Sequence, residues 1–403
     1  VIPTSQLEPA QTPIERLPEE WEVVLKSWGE PKYRALQVFR WIHQRGVMDP
    51  DQMTDLSKSL RAKLREDGLT PLLKVAESHK SSDGTRKLLV EMNDGKRVET
   101  VLIPRGAISN ADTFELDDDE NAVATDVTQC VSSQVGCAMG CAFCASGIAG
   151  LKRQMTAGEI VSQVLLANRD LADSVRIAGI VYMGMGEPLH NYAAVARSIA
   201  LLTHPEGMGL STRRITVSTS GLVKEIERLG KDFGGRVRLA VSLHASNDEA
   251  RSRIMPVNRK HNIETLVDAM HAYPLPPFTR ITIEYTLIEG HNDSSTDARK
   301  LADLLRGLRA KVNLIPMNPV ADAGLNAPND TVVDVFQSTL RNAGIDVFVR
   351  KRKGDDIAAA CGQLALHGEK RKVRRALALQ GSLSEEEAQG LRDAVAAVRD
   401  SER

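Results

Sequence analysis

Between Val127 and Asn318 short β-rich runs alternate with helical stretches, and this rhythm constrains the fold more than any other feature of the chain. The segments TQCVSSQ, IAGIVYMGMGEP, RRITVSTSG, RLAVSLHA, RITIEYTLIEG and VNLIPMNP read as six strands. A closed TIM barrel needs eight such βα units, so six predict an open, partial (β/α)6 TIM-type barrel in the α/β class. A doubly wound sheet is the alternative. Polar or glycine-rich residues close nearly every strand, at the end where such barrels build active sites.

The flanks divide into smaller pieces. Residues 1–80 read as a helical N-terminal accessory domain: Trp21, Trp28 and Trp41 all lie in amphipathic stretches such as PKYRALQVFRWIHQRG, which predicts an aromatic core of their own. This domain is an expected RNA contact, although the tryptophans themselves read as packing. Residues 81–126 comprise a β-hairpin, KLLVEMNDGKRVETVLIP, turning at Asn93-Asp94-Gly95, and an acidic linker. The barrel is expected over 127–349. A C-terminal segment, 350–403, adds Cys361, a basic run through Lys370–Arg375, and a terminal helix capped by Ser384 and Glu387.

With 403 residues, 42% of them hydrophobic, the chain can bury a large core. It shows neither a charged leader followed by an apolar run nor about 18 uninterrupted apolar residues, so a cytoplasmic location with no membrane partner is expected. A formal charge of −1 announces no nucleic-acid partner by itself. The evidence for one is local, in the basic residues flanking Cys361.

Five cysteines, an odd number, suit reduced thiols better than a disulfide framework. Cys130, Cys137, Cys141 and Cys144 fall within fifteen residues and only Cys361 stands apart. Cys137-Ala-Met-Gly-Cys141-Ala-Phe-Cys144 is a CxxxCxxC loop directly after the first strand of the βα array. A structural zinc site wants four ligands, and no suitably spaced fourth Cys or His accompanies these three. A 4Fe–4S cluster can use three cysteines and leave one iron open to a small molecule.

CxxxCxxC resembles the radical-SAM signature, in which the open iron chelates S-adenosylmethionine (SAM). Further motifs narrow the likeness: CVSSQVGC, Met183-Gly184-Met185-Gly186-Glu187-Pro188, STSG at Ser218, Ser242-Leu243-His244, Asn318, and AACGQL around Cys361. Together, from about Val98 to Leu364, they resemble the RlmN/Cfr family of RNA adenine methyltransferases. The resemblance implies that Gly186, Glu187, Ser218, Ser242, Leu243, His244 and Asn318 line the cofactor pocket. Read alone, Ser242 could be a strand-end cap and His244 a satisfied core histidine.

The same resemblance implies two SAM per turnover. One methylates Cys361; the second is cleaved reductively to a radical that activates the new methyl for addition to adenine, whose carbons 2 and 8 are poor nucleophiles. Cys130 then resolves the protein–RNA adduct, with strand packing as the competing reading. Glu99 matches the family's proton acceptor, against an exposed strand glutamate. A buried structural thiol is the bland alternative for Cys361. Arg350, Lys351, Arg352 and Lys353 are the first candidates for RNA phosphates. Implied partners are 23S rRNA, with tRNA as a second substrate, and a reductant such as flavodoxin or ferredoxin; the protein is expected to be a monomer. The helical N-terminal segment favours carbon 2 over carbon 8. Two rivals stay open at this point: a radical-SAM enzyme acting on a small molecule or peptide, and a non-enzymatic iron–sulfur electron carrier.

Overall fold

A computed structural model describes residues 6–105, 126–172, 174–320, 323–350 and 353–364. The acidic linker up to Thr125, Lys351, Arg352, the Lys370–Arg375 run and the terminal helix lie outside the described residues. Three helices open the chain, α1 (Pro18–Ser27), α2 (Tyr33–His43) and α3 (Lys58–Glu66). They lead into β1 (Leu73–Lys80), β2 (Arg86–Met92) and β3 (Arg97–Pro104), an antiparallel meander whose β2–β3 turn is the Asn93-Asp94-Gly95 hairpin. Gly95 has φ +77°, the left-handed conformation such a turn needs.

The βα array follows: β4 (Asp126–Cys130), the small ribbon β5 (Gln134–Val135) and β6 (Arg153–Gln154) flanking α4 (Ala145–Ala149), then α5 (Ala157–Arg169) and β7 (Arg176–Tyr182). Next come α6 (Tyr192–Thr203), β8 (Ile215–Thr219), α7 (Val223–Phe233), β9 (Arg238–Ser242), α8 (Asp248–Ile254), α9 (Ile263–Ala272) and β10 (Ile281–Leu287). The array closes with α10 (Ser295–Leu304), β11 (Ala310–Pro316), α11 (Asp330–Asn342) and β12 (Val347–Val349). Side chains of Thr156, Asn247, Asn262, Ser294 and Asn329 cap α5, α8, α9, α10 and α11, satisfying amide groups that open each helix.

All the large strands form one sheet ordered β1-β2-β3-β4-β7-β8-β9-β10-β11-β12. From β4 to β12 the strands are parallel and neighbours in sequence are neighbours in space. A doubly wound sheet would reverse its order at a switch point. This one never reverses, so the architecture is the open, partial barrel, widened by β12 on one side and the meander on the other. The edge strand β1 had no sequence signature: all but its first residue are exposed, and no apolar alternation marks it.

The N-terminal helices do not keep a separate core. Trp21 and Phe39 belong to the same contiguous apolar cluster as Ile180, Tyr285 and Phe336 of the barrel. Arg197 of α6, 3% exposed, locks the junction. Its guanidinium donates to the Glu8 and Glu15 carbonyls at 2.9 and 2.8 Å and forks onto the Glu20 carboxylate at 2.8 and 2.9 Å. The buried Glu15 carboxylate in turn accepts from the Gly158 amide at the start of α5.

Replacing Arg197 with Met therefore strands a carboxylate and two carbonyls at the interface. The expected loss is about 3 kcal/mol, near the low end for a broken buried pair because Glu20 keeps some solvent. Urea unfolding read by tryptophan fluorescence checks it, since all three tryptophans lie in the N-terminal helical segment.

Candidate active site

The cysteine loop hangs from the C-terminal end of β4. Gly136, at φ +77°, passes so close to the following chain that a Cβ would lie 1.9 Å from the Gly150 carbonyl oxygen, so only glycine fits there. The Cys137 amide donates to that same carbonyl, and Ala142 donates to Ile254 at the end of α8. Cys137, Cys141 and Cys144 thereby line one cavity at the strand ends, about 910 Å³ of open space with its mouth included. Met139, Phe143 and Ile148 pack with Met255, Ile288 and Met317 into a second apolar cluster around the loop. Burial pushes the Cys137 thiol up to about 12 and also raises Cys141 and Cys144. Metal binding at these thiols must displace their protons.

Motif MGMGEP forms the facing wall. A Cβ on Gly184 would meet the Val131 backbone at 2.6 Å, and one on Gly186 would meet Gln134 at 2.6 Å. The two glycines thus serve close approach to the chain leaving β4. Glu187 is buried, its two oxygens accepting from the Leu189 amide at 3.1 Å and the Ser220 amide at 2.7 Å. Burial raises its pKa, and the Ser220 bonds oppose that rise. Ser218 and Ser242, at the ends of β8 and β9, are half-buried and line the same cavity.

His244 is a left-handed residue, φ +56°, and its Nδ1 accepts from the Thr286 amide at 2.9 Å. Burial, and next the charge of Arg251, lower its pKa to about 3, so the ring is neutral. With Nδ1 occupied as an acceptor, the ring proton belongs on Nε2. His244 lines the cavity, edge-on to Phe143 at 4.7 Å between ring centroids. Leu243 behaves differently: its side chain is fully buried in the core and absent from the cavity wall. Its backbone serves instead, the amide donating to Glu284.

A second cavity adjoins the first and shares Met183, Ile315, Asn318, Arg350 and Cys361 with it. Cys361 therefore sits at the junction, and Cys130 lines only the second chamber. A strap, residues 353–364, crosses the site with the Cys361 carbonyl accepting from Asn318 Nδ2 at 3.0 Å and the Gly362 carbonyl from the Ala145 amide at 2.9 Å. Asn318 is thus bonded to the strap as well as facing the first cavity. Glu99 is only 2% exposed and ion-paired with Lys87 at 2.9 Å, so it is a buried charge and not an exposed strand residue. Arg350 lies inside the site beside Glu284, 3.9 Å away, and not on an open basic face; nearby Cys361 raises its pKa most. Lys353 lines the second chamber.

Comparison with known proteins resolves the class. Residues 18–68 match the profile described as ribosomal RNA large subunit methyltransferase N-terminal domain, and residues 131–302 match the radical SAM superfamily. The dual-specificity RNA methyltransferase RlmN of Sorangium cellulosum is 56% identical over 384 residues, covering 91% of this chain and 98% of its own. The chain belongs to the RlmN family. Syntrophobacter fumaroxidans RlmN is 45% identical, with 86% of this chain and 94% of that one aligned. Among solved structures, a radical SAM methyltransferase from Sphaerobacter thermophilus superposes with a TM-score of 0.80 at 43% identity, over 88% of this chain and 99% of that one.

Radical-SAM enzymes of the RlmN family use a 4Fe–4S cluster with SAM, and the wall chemistry fits both. Among the described residues no three His, Cys, Asp or Glu are close enough to grip one ion. Cys137, Cys141 and Cys144, which all line one cavity, would hold the cluster as thiolates. Two buried atoms without a hydrogen-bond partner, Glu284 Oε2 and Asn318 Oδ1, belong to residues of the same wall. Such orphans mark places for a polar ligand.

Ser220, Glu284 and Arg251 escaped the sequence reading. STSG contains Ser220, but Arg251 in DEARSRI looks like a solvated helical charge. It is fully buried, and donates to the carbonyls of Ser220 (2.6 Å), Ser242 (3.0 Å) and Leu243 (3.0 Å) and to Asn258 Oδ1 (2.9 Å). Arg251→Met is expected to lose at least about 3–5 kcal/mol, because these acceptors would be buried unsatisfied. Chemical denaturation measures the loss, and iron content after anaerobic reconstitution should fall with it.

Proposed function

We propose that this chain methylates carbon 2 of an adenine in 23S rRNA, with a tRNA adenine as second substrate, through an S-methylcysteine on Cys361. The observation that carries this reading is the placement of Cys361 on the boundary between two chambers, one walled by the cluster cysteines and the other by Cys130. An iron–sulfur electron carrier has no use for a thiol there. A radical-SAM enzyme for small molecules has no use for the second chamber's two cysteines, and the relatives' names also speak for RNA.

Bound in the first chamber, the cluster and two SAM per turnover would supply the methyl group and the hydrogen-abstracting radical. Cys137, Cys141 and Cys144 hold the cluster. Glu187 offers a carboxylate, already oriented by two amides, to the ammonium of SAM. Gly186, Ser218, Ser242 and the Nε2–H of His244 present polar groups to the rest of the cofactor. Leu243 contributes through its backbone alone. Asn318 ties the strap to the pocket.

Cys361, as a thiolate, accepts the methyl and carries it to the second chamber. Once the methylene carbon is joined to adenine, release requires a proton to leave carbon 2 and the carbon–sulfur bond to break. Glu99 takes the proton. The unpaired electron returns to the cluster, when bound; the Cys130 thiolate then attacks the Cys361 sulfur, and the methylene leaves with the bonding pair and picks up a proton to become the methyl group. A thiol reductant reopens the resulting disulfide before the next turnover. Arg350 and Lys353 compensate charge around these thiols and meet the incoming nucleotide; Lys351, Arg352 and the basic run at Lys370–Arg375 add charges that RNA phosphates can use. Electrons come from a small donor such as flavodoxin or ferredoxin.

Mapping methyladenosine isomers in RNA from cells with and without the protein tests the reaction: 2-methyladenosine should depend on it, and 8-methyladenosine would redirect the assignment to carbon 8. Cys361→Ala should keep iron and SAM binding while transferring no methyl to RNA, and wild-type transfer by that variant would refute the carrier role.

Cys130→Ala should stall as a protein–RNA crosslink, seen as a shifted band on denaturing gels that collapses with ribonuclease. Burial, then the neighbouring Cys361, push the Cys130 thiol up to about 12. Below that value the thiolate fraction grows about tenfold per pH unit. Crosslink decay in the wild-type protein should therefore accelerate from about pH 7 to about pH 9, a rise that Cys130→Ala abolishes.

A further inference from the structure

Lys87 is a buried lysine on a strand that carries no part of the cluster or cofactor wall, and nothing above uses it. Strand register explains where it points. Lys87 of β2 sits opposite Val101 of β3, and Val101 sits opposite Cys130 of β4. Directly paired residues share a face, and Glu99, two positions from Val101, shares it as well. Lys87, Val101 and Cys130 are therefore one row across three strands with Glu99 beside it on the same face, and Val101 and Cys130 line the second chamber. The Lys87 side chain is 10% exposed and that of Glu99 2%.

The lysine makes two contacts in different directions. Its Nζ is 2.9 Å from Glu99 Oε1 and donates to the Ala358 carbonyl at 3.2 Å. Ala358 precedes Cys361 by three residues on the carrier strap, and it is one of the few non-glycine residues with positive φ, +49°. That conformation is costly for alanine and needs support from its surroundings. Support comes from the meander: the Gly354 amide donates to Asp83 Oδ2 at 3.0 Å, the Ser82 amide to Asp356 Oδ2 at 3.2 Å, and Lys87 holds the Ala358 carbonyl. The ammonium is thus joined both to the Glu99 carboxylate and to the strap that presents the methyl carrier.

We propose that Lys87 is a positioning residue for adduct release, registering the Glu99 carboxylate against the Cys361 strap so that the base faces the adenine carbon held on that thiol. The proposal rests on the reading of Glu99 as proton acceptor. A buried carboxylate needs a compensating charge and a fixed geometry to collect a proton from a carbon a short distance away, and Lys87 supplies both. Without it, the strap loses one tether and Glu99 loses the charge that registers it against the strap, whereas methyl loading in the first chamber keeps all its groups.

The test uses full-length Lys87→Met, Lys87→Arg and Glu99→Gln, each reconstituted, with Cys361 methylation read by peptide mass and the RNA adduct by denaturing gel. Hydrogen exchange of the strap amides gives a readout separate from turnover. Lys87→Met should load Cys361, accumulate the adduct as Glu99→Gln does, and show roughly three- to tenfold faster exchange at Ala359 and Ala360. Lys87→Arg, which keeps charge and donors, should restore part of the release. Wild-type release and wild-type strap exchange in Lys87→Met, beside a stalled Glu99→Gln, would overturn the proposal alone. Normal release by Glu99→Gln would instead remove the reading on which it stands. Should Lys87→Met fail to load Cys361, Lys87→Gln decides, since it can still donate to Ala358: stalling there supports the role of the charge, and normal release refutes it.

Discussion

The whole site depends on one buried guanidinium. In an open barrel the strands end without partners for their last carbonyls, and those carbonyls lie where a cofactor must bind and water must be kept out. Arg251 gathers the ends of β8 and β9 by donating to Ser220, Ser242 and Leu243 at once, and reaches Asn258 besides. Burial lowers its pKa to about 10, which still leaves it charged at neutral pH. Placed near Cys141, it brings a positive charge close to the cluster loop. Strand geometry, cofactor wall and thiol electrostatics thus converge on a residue that touches no substrate.

Two chambers then divide the chemistry. The first is built from strand ends and the cysteine loop, on rigid elements with amide-oriented side chains. The second is lined by β3, by the C-terminal ends of β4, β7 and β11, and by a short strap. Cys361 belongs to both, so a single thiol faces the three-cysteine loop on one side and Cys130 on the other. Arg350 and Asn318 share that boundary, so displacement of the strap changes the surroundings of both chambers together.

Much of this was legible in the sequence because the physics is local. Strand period, hairpin turn and cysteine spacing each need only a few adjacent residues, and the strand-end motifs gather at one cavity because parallel strands put their C-terminal ends together. Leu243 shows the limit: it sits between two wall residues in the motif, yet its side chain turns into the core. Arg251 and Lys87 resemble ordinary surface charges until long-range packing buries them. Strand β1 lacks the apolar alternation on which strand reading depends, being held by pairing with β2 alone on an exposed edge. Arg350 looked like one of a phosphate-binding run, but the backbone of β12 directs it inward, its amide bonded to Leu314.

The strap deserves to be seen as a matter of frequency. Its hydrogen bonds to the rest of the protein run to Ser82, Asp83, Lys87, Ala145, Ser146, Asn318 and Pro319, and Ile357, Ala359 and Leu364 pack on the main core. Segments of that kind open far more often than the sheet beneath them, and each bond removed multiplies the open population by a Boltzmann factor. A thiol built there is uncovered as often as those bonds let go, so the odds of its exposure can be retuned by substitutions along the strap without disturbing the barrel.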